Sequence, residues 1–338
     1  ILGTMFVGAL KGIAPLLVFF LVISSLCNAG KSHGGVIKTV IILYMFSTVL
    51  AAVIAVFASM AFPVKMTLAN AATDTSAPQG IVEVLNNLLL NVVANPVSSL
   101  VNANYVGILM WAVLLGLAFR AADKMTKKVL ADVADGISMV VTWIINLAPF
   151  GIFGLVFNTV STNGLDIFTT YGKLLLLLVG CMLFIYFVTN PLLVYWCIRQ
   201  NPYPLIFQCL KRSALTAFFT RSSAANIPVN MKVCEEMGLD RDTYSVTIPL
   251  GATINMDGAA ITITVMTMAT AFTLGIHVDI PTAIILSLLA ALSACGASGV
   301  AGGSLLLIPM ACSLFGISDD ISMQVVAVGF IIGVVQDS

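Results

Sequence analysis

Long apolar blocks, parted by short polar connections, dominate this chain. A helix needs about 20 apolar residues to cross a bilayer. Gly12–Gly30 and Thr39–Phe62 each supply them. Val84–Phe119 is longer, but Asn86, Asn87, Asn91, Asn95, Pro96, Asn102 and Asn104 interrupt it. That pattern predicts a broken segment and then one span over 104–119. Gly136–Leu165 predicts a span kinked at Pro149, and Leu174–Ile198 a clean span closed by Arg199.

Basic residues orient these spans, because cytoplasmic loops concentrate Lys and Arg. Lys31 and Lys38 follow the first span; Arg120, Lys124, Lys127 and Lys128 follow the third; Arg199, Lys211 and Arg212 follow the fifth. The alternate loops hold only Lys65 and Lys173, each with an acid nearby. The first visible span therefore runs from outside to inside.

Two later blocks do not fit single crossings. Ser213–Met231 has basic residues on both flanks and a polar centre, FFTRSSAANIPVN. A re-entrant hairpin from the cytoplasm resolves this, since irregular backbone at that depth is tolerated only where protein or a cavity surrounds it. Ile280–Ser318 is uncharged, too long for one span, and broken by CGASGVAGGS (295–304). Its acidic flanks, Asp279 and Asp319–Asp320, predict a second hairpin from the opposite face. Thr243–Val278 crosses between the two, and a last span begins near Ile321. Paired, interrupted apolar segments in two halves are the pattern of an inverted-repeat transporter with a midplane site.

Composition agrees. The 338 residues are 59% hydrophobic and 9% charged, with a mean hydropathy of +1.07. A soluble domain carries about 25% charged residues. The expected class is an integral, multi-pass, all-α membrane protein. Zero net charge excludes nucleic acid as a natural partner. Seven scattered cysteines without CxxC spacing read as small buried hydrophobes. The chain starts without Met and ends inside an apolar run, so a fragment lacking both ends is expected.

Charged groups at bilayer depth mark pathways and sites, and three stand out: Arg221, Asp257 and Asp337. Arg221, Ser222 and Ser223 occupy the tip of the first hairpin, where free backbone N–H groups suit a carboxylate. In GATINMDGAA (251–260), Asn255 and Asp257 offer hard oxygen ligands, and unwound backbone around Gly251, Thr253 and Asn255 would add carbonyls. One carboxylate among neutral oxygens points to a monovalent hard cation such as Na⁺ over Ca²⁺. Blander readings stand beside these. Asp257 could pair with Arg221 as a structural ion pair, the glycines of 296–303 could be a helix-packing surface, and the asparagines of 86–104 could be interfacial scaffold. Tyr44, Ser47 and Thr48 could be ordinary satisfied helix hydroxyls. A hydrolase using Ser222 or Ser223 would need a base within hydrogen-bond reach, and no His is near. A passive channel would take up solute without regard to a sodium gradient.

TRSSAANIPV, GATINMDGAA and CGASGVAGGSLLLIP, in this order and spacing, resemble the dicarboxylate/amino acid:cation symporter family, with the glutamate-transporter fold. The resemblance covers the whole chain and is closest to the family's bacterial sodium-coupled serine/threonine branch, through VEVLNN, FFTRSSAANIPVN and MQVVAVGFIIGVVQDS. It implies eight helices and two hairpins, of which the first helix and most of the last are missing here, and a homotrimer in the bacterial inner membrane. By this comparison residues 1–38 and 81–135 are scaffold, 39–80 is a transport-domain helix, 136–200 bridges, and 201–338 is the transport core.

The resemblance also implies roles. Arg221, Ser222, Ser223, Val300, Gly302 and Asp337 would meet substrate, Asp337 taking its ammonium. Tyr44, Ser47, Thr48, Gly251, Thr253, Asn255 and Asp257, with Ala294, Cys295 and Ala297 at the second tip, would hold co-transported sodium. Ala259 and Ala301 stand where carriers of acidic amino acids often have Thr and Pro, which leans towards serine and threonine rather than glutamate, aspartate or C4-dicarboxylates. No enzymatic activity is expected.

Overall fold

The computed structural model describes residues 2–28, 35–66, 68, 90, 92–147, 149–151, 153, 154, 157, 166–214, 217, 218, 223, 226–295, 303–332 and 336. Among these every regular element is helical. Helix α1 is Leu2–Asn28, α2 is Gly35–Ala61, α3 is Pro96–Val101, α4 is Tyr105–Ala118 and α5 is Lys124–Asn146. Then come α6 (Asp166–Phe184), a π turn (Ile185–Thr189), α7 (Asn190–Ile198) and α8 (Tyr203–Cys209). The rest comprises α9 (Ile227–Glu236), α10 (Arg241–Ile254), α11 (Asp257–Thr273), α12 (Ile280–Ala294), α13 (Ile308–Ser313) and α14 (Asp319–Ile332).

Local chemistry sets the boundaries. The asparagines that break the third block act as caps. The Asn95 side chain accepts from the N–H groups of Val97 and Ser98 at 2.9 and 3.1 Å, and that of Asn104 accepts from Gly107 N–H at 3.2 Å. Such caps satisfy donors that a helix start leaves orphaned. Helix α5 begins twelve residues before the expected Gly136, because Asp123 caps it by accepting from Thr126 N–H at 2.8 Å. Its early turns are amphipathic rather than loop. The expected clean span to Ile198 contains the π turn instead. Pro191 has no N–H to give Phe187, and the Tyr203 hydroxyl donates to that carbonyl at 3.2 Å. Bulges of this kind accommodate the proline. Arg199, in the left-handed region at φ 55°, ends the run. After α11 the chain turns at Gly275 (φ 73°), where the Ile276 N–H reaches back to the Ala271 carbonyl at 2.9 Å. That is a Schellman closure, which glycine adopts without a Cβ penalty.

Three described stretches are long and apolar enough to cross a membrane: Lys38–Ala61, Tyr171–Ile198 and Val246–Thr273. Helix α1 packs against α4 and α5, whereas α2 packs against α11, α12, α10 and α6. Helix α13 lies on α11 and α14, and contacts of α1 with α14 and of α13 with α4 join the two groups. Helix α11 is enclosed on every side. Thr262, Thr264, Thr267 and Thr270 are all 0% exposed. A helix buried all round is what a central position requires. Its hydroxyls are largely satisfied within the helix, as Thr262 donates to the Gly258 carbonyl at 2.9 Å and Thr270 to that of Met266 at 2.7 Å.

Candidate functional site

Helices α10 and α11 are one crossing interrupted at Asn255 and Met256, whose backbone leaves the helical region (φ −105°, ψ 80° and φ −118°, ψ 54°). Asp257 is the first residue of α11, where the helix dipole favours negative charge. Facing this break is one turn of α2. The Ser47 hydroxyl donates to Asp257 Oδ2 at 2.6 Å. The Thr48 hydroxyl lies 3.1 Å from Asp257 Oδ1, 3.5 Å from Asn255 Oδ1 and 3.0 Å from the Tyr44 carbonyl. Having one proton, it can donate to only one of these at a time. It also accepts from Met256 N–H at 3.3 Å. When Thr48 donates to Oδ1, the two hydroxyls hold both carboxylate oxygens. Thr48 is 0% and Ser47 8% exposed, so the cluster lies in the protein interior.

Tyr44 extends the same face. Its hydroxyl donates to the Thr247 carbonyl at 3.3 Å. A Cβ on Gly251 would meet the Tyr44 ring at 3.0 Å, so glycine lets the ring lie against α10. On the other side, Ala294 ends α12 fully buried. Cys295 follows it, with Sγ 3.5 Å from the Ile254 carbonyl and 3.8 Å from Met45 Sδ. The end of α12 thus touches both α2 and the break.

The donor set is oxygen throughout: one carboxylate, two hydroxyls, one amide and helix-end carbonyls. Among the described residues no cation pairs with Asp257, and the Arg212–Glu236 ion pair, at 2.8 Å, is exposed. Such a set, with one negative charge, fits a small monovalent cation. No group of three His, Cys, Asp or Glu residues gathers among the described residues.

The structure brings together Tyr44, Ser47, Thr48, Gly251, Asn255, Asp257 and Cys295 from α2, α10, α11 and the end of α12. One detail differs from the sequence expectation. Gly251 and Thr253 are helical, not unwound, and the Gly251 carbonyl accepts from Asn255 N–H at 2.9 Å. The break is confined to two residues because only those lose helical dihedrals. Thr253 turns its hydroxyl to the Leu250 carbonyl at 2.7 Å. Its own carbonyl is among the last of α10, which have no partner in the helix.

Ser223 is half-buried, and its carbonyl accepts from Asn226 N–H at 3.2 Å. Arg221, Ser222, Ala297, Val300, Gly302 and Asp337 lie outside the described residues. Three features escaped the sequence reading. Asn226, 3% exposed, donates to Ser213 Oγ at 2.7 Å, and Ser213 donates to Asn230 Oδ1 at 2.5 Å. Cys295 pairs with Met45. Gly258 abuts the backbone of Gln336, a Cβ there falling 2.2 Å from the Gln336 carbonyl oxygen. The glycine of NMDG was the available signal for that close approach.

Comparison with known proteins places these motifs in context. Residues 1–336 match the model of the sodium:dicarboxylate symporter family. The chain is 61% identical over 337 residues to the serine/threonine transporter SstT of Bifidobacterium adolescentis. The alignment covers 99% of this chain and 78% of that protein.

Proposed function

The chain belongs to the sodium:dicarboxylate symporter family, and from that premise we propose that it imports serine and threonine together with sodium across the bacterial inner membrane. The observation that carries the sodium half is the Asp257 carboxylate held at a helix break by two α2 hydroxyls, with oxygen donors around it and no described cation beside it. The observation that carries the amino-acid half is the similarity to a serine/threonine transporter over nearly the whole chain.

Ser47 donates to the carboxylate, and Thr48 stands within hydrogen-bond distance of its other oxygen. A hydroxyl rotates freely and presents two lone pairs, so the same oxygens can turn from donating to ligating with little heavy-atom movement. Sodium would then neutralise a buried charge, and its binding would favour the conformation that has these groups in register. Coupling follows from that differential affinity. Arg221, Ser222, Ser223, Val300, Gly302 and Asp337 would meet substrate, with Asp337 taking the ammonium. Gly251, Thr253, Ala294, Cys295 and Ala297 would add backbone oxygens for sodium.

In this reading residues 1–38 and 81–135 form a scaffold, 136–200 bridges, and 39–80 with 201–338 moves as a transport unit. The two interrupted regions around 213–231 and 280–318 are re-entrant hairpins of an inverted repeat. Three chains assemble as a homotrimer.

The family's description favours a second substrate class, dicarboxylates. Ala259, small and buried, offers nothing to a second carboxylate. Labelled-serine uptake into proteoliposomes tests both. Sodium-driven uptake, inhibited by unlabelled serine and threonine but not aspartate, is expected. Inhibition by aspartate alone overturns the substrate assignment, and uptake indifferent to the sodium gradient overturns symport.

A further inference from the structure

A groove of about 960 Å³ lies between α2 and α6. Its lining runs from Ile54 to Val64 on one side and from Phe184 to Lys173 on the other. From Lys173 to Phe184 a helix rises about 17 Å, at about 1.5 Å per residue. That is close to the depth of one leaflet, half of a hydrocarbon core about 30 Å thick. Among the described lining residues Lys173 alone carries charge. Phe57, Phe62 and Leu176 line the groove and are exposed. Gly180 keeps its middle open, since a Cβ built there meets nothing within 4 Å. Ligand sites are concave and mostly apolar, with few polar groups that fix orientation. A pair of helices that merely faced lipid would need no such hollow.

The two ends of the groove constrain what fills it. The deep end, at Ile54 and Phe184, is apolar. The other end stands where α2 finishes and α6 begins. In the orientation that the basic loops give, this is the outer surface of the membrane. The outer-loop lysines, Lys65 and Lys173, are both there and both exposed, Lys65 directly following Val64. Lysine lays its stem along apolar surface and keeps its ammonium at the interface. The complement is an apolar chain one leaflet long that ends in an anion.

We infer that this groove binds one acyl chain of an anionic outer-leaflet phospholipid, with the phosphate of its head group at Lys173 and Lys65. The bound chain packs on α2, the helix that carries Ser47 and Thr48, and braces it against α6. The inference does not depend on the symport reading.

The test measures unfolding temperature in nanodiscs of phosphatidylcholine alone, or with phosphatidylglycerol or oleate added. Inorganic phosphate is tried separately in the buffer. Phosphatidylglycerol should raise the wild-type unfolding temperature, and phosphate should not. The rise should be lost in Gly180→Leu, which fills the groove, and in the double variant Lys65→Gln, Lys173→Gln, which removes the charge. All three positions are exposed, and leucine is a better helix former than glycine. Without phosphatidylglycerol, therefore, neither variant should unfold earlier than wild type. A rise kept in full by either variant overturns the inference, as does a wild type indifferent to phosphatidylglycerol. An equal rise with phosphate would reduce the mouth to an ion site, and a rise with oleate alone would overturn the phospholipid as the source.

Discussion

The packing of α1 on α4 and that of α2 on α10 and α11 use the same device for different ends. In both, a glycine lets two helices approach closely. A Cβ on Gly116 would meet Leu26 Cβ at 2.8 Å and the Ile23 backbone at 3.3 Å. Nothing polar is gained there, and the contact yields dispersion and fit. Close approach by small residues is how membrane helices associate when lipid is as apolar as the side chains. At Gly251 and Gly258 the same closeness assembles oxygens: the Tyr44 hydroxyl, the Gln336 carbonyl and, between them, the Asp257 cluster. The first contact is complete by itself. The second leaves a carboxylate in the interior whose charge is met by hydroxyl dipoles and the start of α11, with no cation beside it among the described residues. The lesson is that a tight helix contact is structural or functional according to the atoms it gathers, and that the polar one has something left to bind.

Matched substitutions can break this contrast. The largest effect is expected for Gly258→Ala, since its new methyl would fall on a backbone oxygen that cannot rotate aside. Overpacking costs about 1–3 kcal/mol, and here it also displaces Asp257, so uptake should drop below a tenth of wild type. Gly116→Ala should lower the unfolding temperature yet preserve sodium activation. Equal loss of sodium activation in both would erase the distinction.

Next is Asp257→Asn, which removes the charge and keeps the shape. In wild type, sodium at a hundred times its dissociation constant should stabilise the fold by about 2.7 kcal/mol. The variant should unfold at one temperature in sodium and in choline chloride. A sodium-dependent rise in the variant would show that the ion's main anchor lies elsewhere.

Ser47→Ala should do less. It deletes a 2.6 Å bond to a carboxylate, a type worth about 1.5–3 kcal/mol. Half-saturating sodium should rise roughly tenfold or more by that energy. The counterpart is Ser138→Ala in α5, whose hydroxyl bonds its own helix at the Ala134 carbonyl, 2.8 Å away. It should leave sodium titration curves unchanged.

The smallest effect is expected at the start of α5. Hydrogen bonds from Thr126 hold the exposed Asp123 carboxyl below its ordinary value of 3.8. A depressed carboxyl stabilises the folded state above the unfolded pKa and loses that contribution as pH falls through the folded one. Asp123→Ala should thus unfold slightly earlier than wild type at neutral pH, with the gap closing as pH falls below 3.8. Uptake should not change, and a pH-independent gap would show that the cap acts without its charge.

Much of this was legible in the sequence because its signals are local. Apolar block length marks Thr39–Phe62 and Leu174–Ile198 as crossings, and helices over Lys38–Ala61 and Tyr171–Ile198 are long and apolar enough to be them. Asn95 and Asn104 interrupt the third apolar block as expected, and they do so by capping helices. The asparagine and glycine of NMDG mark a helix interruption, and one is present. What failed was also local but double-edged. Lys124–Lys128 reads equally as loop or as the polar face of a helix, and the Asp123 cap decides for helix. At Pro191 the sequence announces trouble without saying whether the helix kinks or bulges, which depends on Tyr203 arriving to serve the Phe187 carbonyl.

The sequence by itself determined the membrane class, the family and the interrupted crossing that bears Asp257. Those follow from composition, block length and residue types a few positions apart. The family resemblance grouped Ser47 and Thr48 with Asp257, and only the tertiary structure decided that these hydroxyls, more than two hundred residues away, reach its carboxylate directly. It alone set Cys295 against Met45 and the Gln336 backbone against Gly258. The physical reason is that side-chain periodicity fixes which residues share a helix face, whereas the partner that face meets is chosen by how whole helices pack.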